Sequence, residues 1–295
     1  MRKNNGLEGY IVALVTPFDQ QKNVDLKAFE KYVDFVVSKG VHGIVVCGST
    51  GESLALSDEE KLSLVKCASN IAKGRTNVIG GIIDSVTEHG VKLIREFEEY
   101  IDNFLCICPY YIKPSQTQLF NHFKAYCEST KKGIILYNNP GRTAIDLKSD
   151  TFKKLCDFDN VIAIKECASD LSRFVFWKDY LKHDFSFLTG NDDMAPSALA
   201  MGACGVVSVT ANIAPALCEA MYKAWNDRDM EKFANIRDRL AVMHNLMFAE
   251  PSPAPAKYAL AKMGLIQNVL REPLSPISEE LAKTIDLNME KLEIE

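Results

Sequence analysis

The stretch Gly43-Ile44-Val45-Val46-Cys47-Gly48-Ser49-Thr50-Gly51-Glu52, followed five residues later by Ser57-Asp58-Glu59-Glu60, decides the fold. Its first five residues are an unbroken apolar run rich in β-branched side chains. Such a run is too short for a buried helix and suits a strand covered on both faces. Gly48 and Gly51 then bracket a turn. Ser57 and Glu60 have the spacing of a capping box: the serine hydroxyl accepts from the N3 amide, the glutamate reaches back to the cap, and a helix starts there. A strand, a turn and a helix start thus follow in order, and that unit recurs along the chain.

Seven further short apolar runs share the character of Gly43–Cys47. They are Tyr10–Val15, Val78–Gly81, Phe104–Cys108, Gly133–Tyr137, Val161–Ile164, Phe185–Leu188 and Gly205–Val209. Ser85-x-x-Glu88 and Ser115-x-x-Gln118 repeat the capping box shortly after a strand candidate. Leu26, Phe29, Val33 and Val36 step by three and four, and Gly40 stops that helix. Strands alternating with helices imply a parallel sheet with right-handed crossovers, and eight such units fit a closed barrel. An open sheet binding a dinucleotide would carry a Gly-x-Gly-x-x-Gly turn after its first strand, where Val15-Thr16-Pro17-Phe18 stands instead. The expectation is an α/β protein: a (β/α)8 TIM barrel over residues 1–224 and a C-terminal helical region over 225–295. In that tail Phe233, Ile236, Leu240, Met243 and Met247 mark a long helix. Pro251-Ser252-Pro253-Ala254-Pro255 breaks the chain, a further helix runs to Gly264, and a last one starts at Ser278.

Composition narrows the function. With 34 Lys and Arg against 39 Asp and Glu the net charge is −5, which argues against a nucleic-acid partner. No apolar run approaches the roughly 18–20 residues of a membrane span. The start, Met1-Arg2-Lys3-Asn4-Asn5-Gly6, lacks the apolar core of a signal peptide, so a cytoplasmic protein is expected. The nine cysteines include no Cys-x-x-Cys and lie mostly in apolar runs, as small core residues of a reducing compartment do. The five histidines have no ligand spacing, so no metal is expected.

The chemistry centres on Lys165, in Val161-Ile162-Ala163-Ile164-Lys165-Glu166-Cys167-Ala168. A lysine ending a buried strand must find a partner for its charge or lose it, and desolvation lowers a lysine pKa by as much as roughly 3–5 units. A neutral amine in an apolar site is what attack on a ketone requires. The blander reading is a stem lying along apolar surface with its ammonium in water. Barrel sites lie at the C-terminal ends of the strands, and those ends here carry Ser49, Thr50, Tyr110, Tyr111, Tyr137 and Lys165. Each alone reads as a turn or rim residue; together they read as a site. A glycine-flanked turn such as Gly48–Gly51 also presents backbone N–H groups to a small carboxylate.

Four motifs, Gly48-Ser49-Thr50-Gly51-Glu52, Pro109-Tyr110-Tyr111-x-Lys113-Pro114, Tyr137-Asn138-x-Pro140-Gly141-Arg142-Thr143 and Ile164-Lys165-Glu166, follow in one order. In that order and spacing the chain resembles the dihydrodipicolinate synthase family, within the N-acetylneuraminate lyase-like class I aldolases. The likeness runs over essentially the whole chain. It implies condensation of pyruvate, bound as a Schiff base on Lys165, with L-aspartate-4-semialdehyde in the diaminopimelate/lysine pathway, with no cofactor. By the same resemblance Thr50 and Val207 help hold pyruvate. Ser49, Tyr137 and a neighbouring subunit's copy of Tyr111 form a proton relay, and Arg142 binds the carboxylate of the second substrate. A residue lent across an interface implies at least a dimer, and the family commonly forms a homotetramer, a dimer of dimers. The resemblance reaches the site where some members take lysine as feedback inhibitor: Ser53, Glu88 and Tyr110 match, Asp84 replaces an asparagine, and Asp58 and Lys61 stand where histidines are common. Ser49 and Asn191 depart from the more usual threonine and acidic residue. The competing readings are a pyruvate-releasing aldolase of a keto-deoxy sugar acid or N-acetylneuraminate, and a non-catalytic small-molecule binder. The intact Gly141-Arg142-Thr143 favours the synthase.

Overall fold

Eight parallel strands close on themselves in the computed structural model, which describes residues 6–294. They are β1 (Gly9–Ala13), β2 (Gly43–Val46), β3 (Asn77–Ile82), β4 (Asn103–Ile107), β5 (Gly133–Asn138), β6 (Val161–Glu166), β7 (Ser186–Thr189) and β8 (Gly205–Ser208). Each pairs with the next, and β8 returns to β1 through Val207 opposite Ile11. All eight expected strands are present, displaced by at most two residues at either end. The expectation drawn from Met1–Asn5 lies outside the described residues.

The pleat sorts the side chains. Ile11, Val45, Ile79, Leu105, Ile135, Ala163, Leu188 and Val207 fill the barrel interior as one buried cluster. The alternate residues, among them Val12, Ile44, Phe104, Ile134, Ile164 and Val206, face outward and pack under the helices. Both faces are therefore apolar, which is why these strands read as unbroken runs. Each fully buried Val, Leu, Ile or Phe contributes about 1.5–3 kcal/mol.

Two of the three expected capping boxes form. Ser57 with Glu60 opens the helix Asp58–Ala72, and Ser115 with Gln118 opens Gln116–Ser129. The third does not. The helix after β3 runs Thr87–Phe97 from Val86, without a side-chain cap. The Ser85 hydroxyl turns instead to the next loop, donating to the Tyr110 carbonyl (3.0 Å) and accepting from the Tyr110 amide (2.9 Å). Satisfying a backbone donor and a backbone acceptor at once outweighs a single cap bond. In the tail, helices Met230–Leu246, Ala254–Lys262 and Glu279–Leu292 follow the expected breaks, the last capped by Ser278. No helix among the described residues is long and apolar enough to cross a membrane, and none of their His, Cys, Asp and Glu side chains cluster as a metal site would.

His122 makes a prediction about acid stability. It is buried on the helix Gln116–Ser129, with Nδ1 2.8 Å from Thr87 Oγ1 and no hydrogen-bond partner for Nε2. Burial pushes its pKa down to about 4, Asp84 pulling weakly the other way, and burial lowers His244 likewise. As pH falls from about 6.5 to 4 the unfolded chain takes up a proton that the folded chain refuses, so stability falls across that window. His122 alone accounts for up to about 3 kcal/mol. Urea midpoints measured from pH 7 to pH 4 should fall less steeply for His122→Phe than for the parent; equal slopes would refute the assignment.

Candidate active site

Lys165 and Tyr137 are register partners on adjacent strands, both in the inward phase. Lys165 is only 7% exposed, and its Nζ stands 4.2 Å from the centre of the Tyr137 ring. Among the described residues no carboxylate forms an ion pair with it. Its stem crosses Gly190 at the end of β7. A Cβ on Gly190 would lie 2.6 Å from Lys165 Cε and 2.2 Å from Cys167 Sγ, so only glycine leaves the lysine its path.

The residue after Lys165 faces the other way. Glu166 is fully buried outside the barrel, where it accepts from Asn138 Nδ2 (2.9 Å), the Ala168 amide (2.7 Å) and Arg173 (3.3 Å). Arg173 also forks onto both oxygens of Asp146 at 2.7 Å. Burial raises the Glu166 pKa against these bonds. Burial would raise Asp146 too, yet Arg173, Asn138 and Lys148 hold it well below the usual carboxylate range. This network clamps the ends of β5 and β6, and with them Tyr137 and Lys165.

The turn after β2 starts and ends on strained backbone. Cys47 and Glu52 both take left-handed conformations, at φ 59° and 53°. Between them the Gly51 and Glu52 amides donate to the Gly48 and Ser49 carbonyls, and Thr16 Oγ1 holds the Gly51 carbonyl at 2.7 Å. Among the described residues the Ser49 and Thr50 amides have no acceptor, which leaves two N–H groups in a concave turn, the form of an anion nest. Glu52 itself is held from far away. Its carboxylate pairs with the fully buried Lys257 and accepts from the Arg271 amide at 3.1 Å.

Beside this turn lies a cavity of about 310 Å³, lined among others by Ser49, Ser53, Ile83, Ile107, Tyr110 and Arg142. Arg142 sits in the short helix Pro140–Thr143, capped by Asn139, whose side-chain amide also donates to the Tyr137 hydroxyl (3.2 Å). The Arg142 guanidinium is exposed and has no acceptor among the described residues. Ser49, Thr50, Tyr137, Arg142, Lys165 and Val207 thus stand at or just beyond the C-terminal ends of their strands, with Ser49 and Arg142 lining the cavity and Tyr137 set against Lys165. Ser49 and Tyr137 are not hydrogen-bonded to each other, and Tyr111 is left in solvent, 90% exposed at φ 71°. Of the residues expected at an effector site, Ser53 and Tyr110 line the cavity and Glu88 is exposed. Asp84 is engaged by His89 at 2.5 Å, and His89 also reaches Asp58 at 3.0 Å.

Sequence reasoning missed Asp146, Arg173, Lys257 and Arg271. Only Lys257 carried a signal: a lysine three residues before Leu260 on the buried side of an alanine-rich helix.

The profile of the Dihydrodipicolinate synthetase family matches residues 6–292. The chain belongs to this family. It is 42% identical to the 4-hydroxy-tetrahydrodipicolinate synthase of Parvibaculum lavamentivorans, over 92% of this chain and 93% of that one. The dihydrodipicolinate synthase structure from Aquifex aeolicus superposes with a TM-score of 0.94 at 33% identity, covering 98% of this chain and 99% of the other. The chloride-inhibited dihydrodipicolinate synthase from Acinetobacter baumannii, complexed with pyruvate, gives 0.93 at 34% identity, covering 98% and 100%. As a dihydrodipicolinate synthetase family member the chain keeps the eight-stranded barrel and the C-terminal helices of these relatives.

Gly190→Ala tests the geometry around Lys165. The nearest atoms belong to side chains and not to backbone, so the fold should survive while Lys165 and Cys167 are pushed aside. A displacement of about 1 Å can cost on the order of a hundredfold in rate. Trapping of a carbonyl probe on Lys165 with borohydride should slow by that order at an unchanged melting temperature; parental trapping rates would show that the stem has another route.

Proposed function

We propose that the chain acts as a 4-hydroxy-tetrahydrodipicolinate synthase, a Schiff-base-forming class I aldolase-type lyase condensing pyruvate with L-aspartate-4-semialdehyde. The observation that carries the chemistry is Lys165: an amine in the barrel interior, beside a register-paired tyrosine, with no carboxylate partner among the described residues. Its free amine adds to the pyruvate keto carbon, and water leaves to give the imine. A proton lost from the methyl carbon makes the enamine, whose carbon attacks the aldehyde. The amino group of the semialdehyde then adds to the imine carbon, and Lys165 departs as the free amine with the ring closed.

The turn amides of Ser49 and Thr50, with the Thr50 hydroxyl, receive the pyruvate carboxylate, and Val207 forms part of the apolar floor. Tyr137, Ser49 and Tyr111 move the protons. Arg142, exposed and unengaged among the described residues, forks onto the carboxylate of the second substrate, as a lysine could not. The relatives favour the synthase over the sugar-acid lyase and the non-catalytic binder, since those reported carry synthase names. The pathway served is diaminopimelate and lysine synthesis. A cytoplasmic location is supported by nine free cysteines.

The assembly we propose is a homotetramer, a dimer of dimers. Tyr111, Ile112 and Leu54 are all more than half exposed near the cavity, where a neighbouring subunit would cover them and take Tyr111 into its own relay. Lysine feedback should be weak. Two of the carboxylates that would greet a cationic effector, Asp58 and Asp84, already face His89, Lys61 and Lys92 from the chain itself. We divide the chain into the barrel, 1–224, and the helical region, 225–295, by chain order; the second is no independent unit, because Lys257 and Arg271 reach into the first.

Pyruvate followed by borohydride should leave a pyruvate-sized adduct on Lys165 by mass spectrometry, and its absence would sink the reading. Arg142→Ala should leave that adduct intact and raise KM for the semialdehyde about 10- to 100-fold, the worth of a charged hydrogen bond. Normal condensation by that variant would remove Arg142 from its role. Millimolar lysine should inhibit by less than the roughly fivefold at the low end of allosteric coupling; stronger inhibition in a steady-state assay would restore the effector site.

A further inference from the structure

The strongest unused feature lies between the tail and the carboxylate turn. Lys257 and Glu52, 205 positions apart, form a fully buried ion pair. The same ammonium donates to the Val269 carbonyl at 2.8 Å and stands 4.1 Å from the centre of the Phe18 ring. The Arg271 guanidinium lies over the same ring, 4.5 Å from its centre. Its backbone amide donates to the second Glu52 oxygen, and its guanidinium forks onto Glu60 at 2.6 and 2.8 Å. It also donates to the carbonyls of Ala55 (2.6 Å) and Lys22 (2.8 Å). Two tail residues thus grip the segment from Glu52 to Glu60 at its start, middle and end.

Stability alone is a poor reason for such an arrangement. Burial pushes the Lys257 pKa down to about 8, against the pull of Glu52, so the fold keeps an ammonium where burial disfavours it. Buried ion pairs are commonly no more stabilising than well-packed apolar side chains. Glu52 also holds a left-handed conformation that a non-glycine residue keeps only when its surroundings impose it. What Glu52 terminates is the turn whose Ser49 and Thr50 amides lack acceptors among the described residues.

We propose that Lys257 and Arg271 are positioning residues for the substrate carboxylate. Through Glu52 they hold the Gly48–Gly51 turn in the shape that presents two amides to an anion. The helical tail is then part of the apparatus that selects an α-keto acid over a neutral ketone. This rests on the reading of that turn as the pyruvate carboxylate site.

The test compares two ketones on the full-length protein: pyruvate and its ethyl ester, which keeps the ketone and lacks the free carboxylate. Each is trapped on Lys165 with borohydride below saturation. Lys257→Met should slow pyruvate trapping, and raise KM for pyruvate, about tenfold or more, roughly 1.4 kcal/mol of lost carboxylate binding. Ester trapping and kcat should stay within about twofold to threefold. Lys257→Arg, which keeps the charge, should restore pyruvate affinity. Should Lys257→Met fail to fold, Glu52→Gln combined with Lys257→Met removes both buried charges and should show the same carboxylate-selective loss. Equal losses for pyruvate and ester, or an unchanged KM for pyruvate in either folded variant, would overturn the proposal. A parent protein that traps neither ketone would overturn the functional reading instead.

Discussion

Every second residue of a barrel strand faces an interior that the closed sheet seals from water, and the site follows from what this chain commits to that phase. Along β6 the inward residues are Ala163 and then Lys165; along β5 they are Ile135 and then Tyr137. Because the two strands are in register, the change from apolar to functional happens at one level on both. The pleat that packs the core therefore also sets the lysine against the tyrosine, with no loop needed to aim either. The adjoining position on β6, Glu166, must point outward for the same reason. That places a carboxylate one residue from Lys165 on the far side of the sheet, where it does not neutralise the amine.

Two charged networks, each built on a buried carboxylate, hold this end of the barrel. Glu166, Asn138, Asp146 and Arg173 tie β5 and β6 to the loops that follow them. Glu52, Lys257, Glu60 and Arg271 tie the turn after β2 to the tail. Their buried members, Glu166 and the Glu52–Lys257 pair, are costly to bury, and removing the partner of either carboxylate strands a charge in a dry site. Each also gives its segment one geometry in place of several, which an apolar contact of equal energy does less well. The rigid strands thus carry the lysine and tyrosine, and the irregular turn that holds no secondary structure is fixed by charge.

Much of this was legible in the chain. The eight strands could be read because a parallel barrel buries both strand faces, so its strands appear as short unbroken apolar runs between helix starts. Ser57 and Ser115 signalled their helices because, among the described residues, their hydroxyls meet no partner from a distant part of the chain. Ser85 misled because its competitor, the backbone of Tyr110, is 25 residues away and adjacent only once β3 and β4 are paired. The same limit hid the tail. Lys257 shows only a lysine on the apolar side of its helix, with no hint of its partner until the chain closes and brings Glu52 against it, and Arg271 lies in an irregular stretch with no period to read. Local signals survive in sequence; contacts across some two hundred residues do not.

The identity of residue 257 is the sharper point. A methionine of similar length could fill the space beside Phe18 without the desolvation that pushes the lysine down to about 8. It would leave the Val269 carbonyl and one Glu52 oxygen without the donor they have now, each a buried acceptor unsatisfied. Replacing Glu52 as well would relieve the stranded carboxylate but not the Val269 carbonyl, and the left-handed bend would lose its tie to the tail. The ion pair is therefore best understood with the bend it secures: the lysine is there because the glutamate is, and the glutamate is there because the turn beside it must end in that conformation.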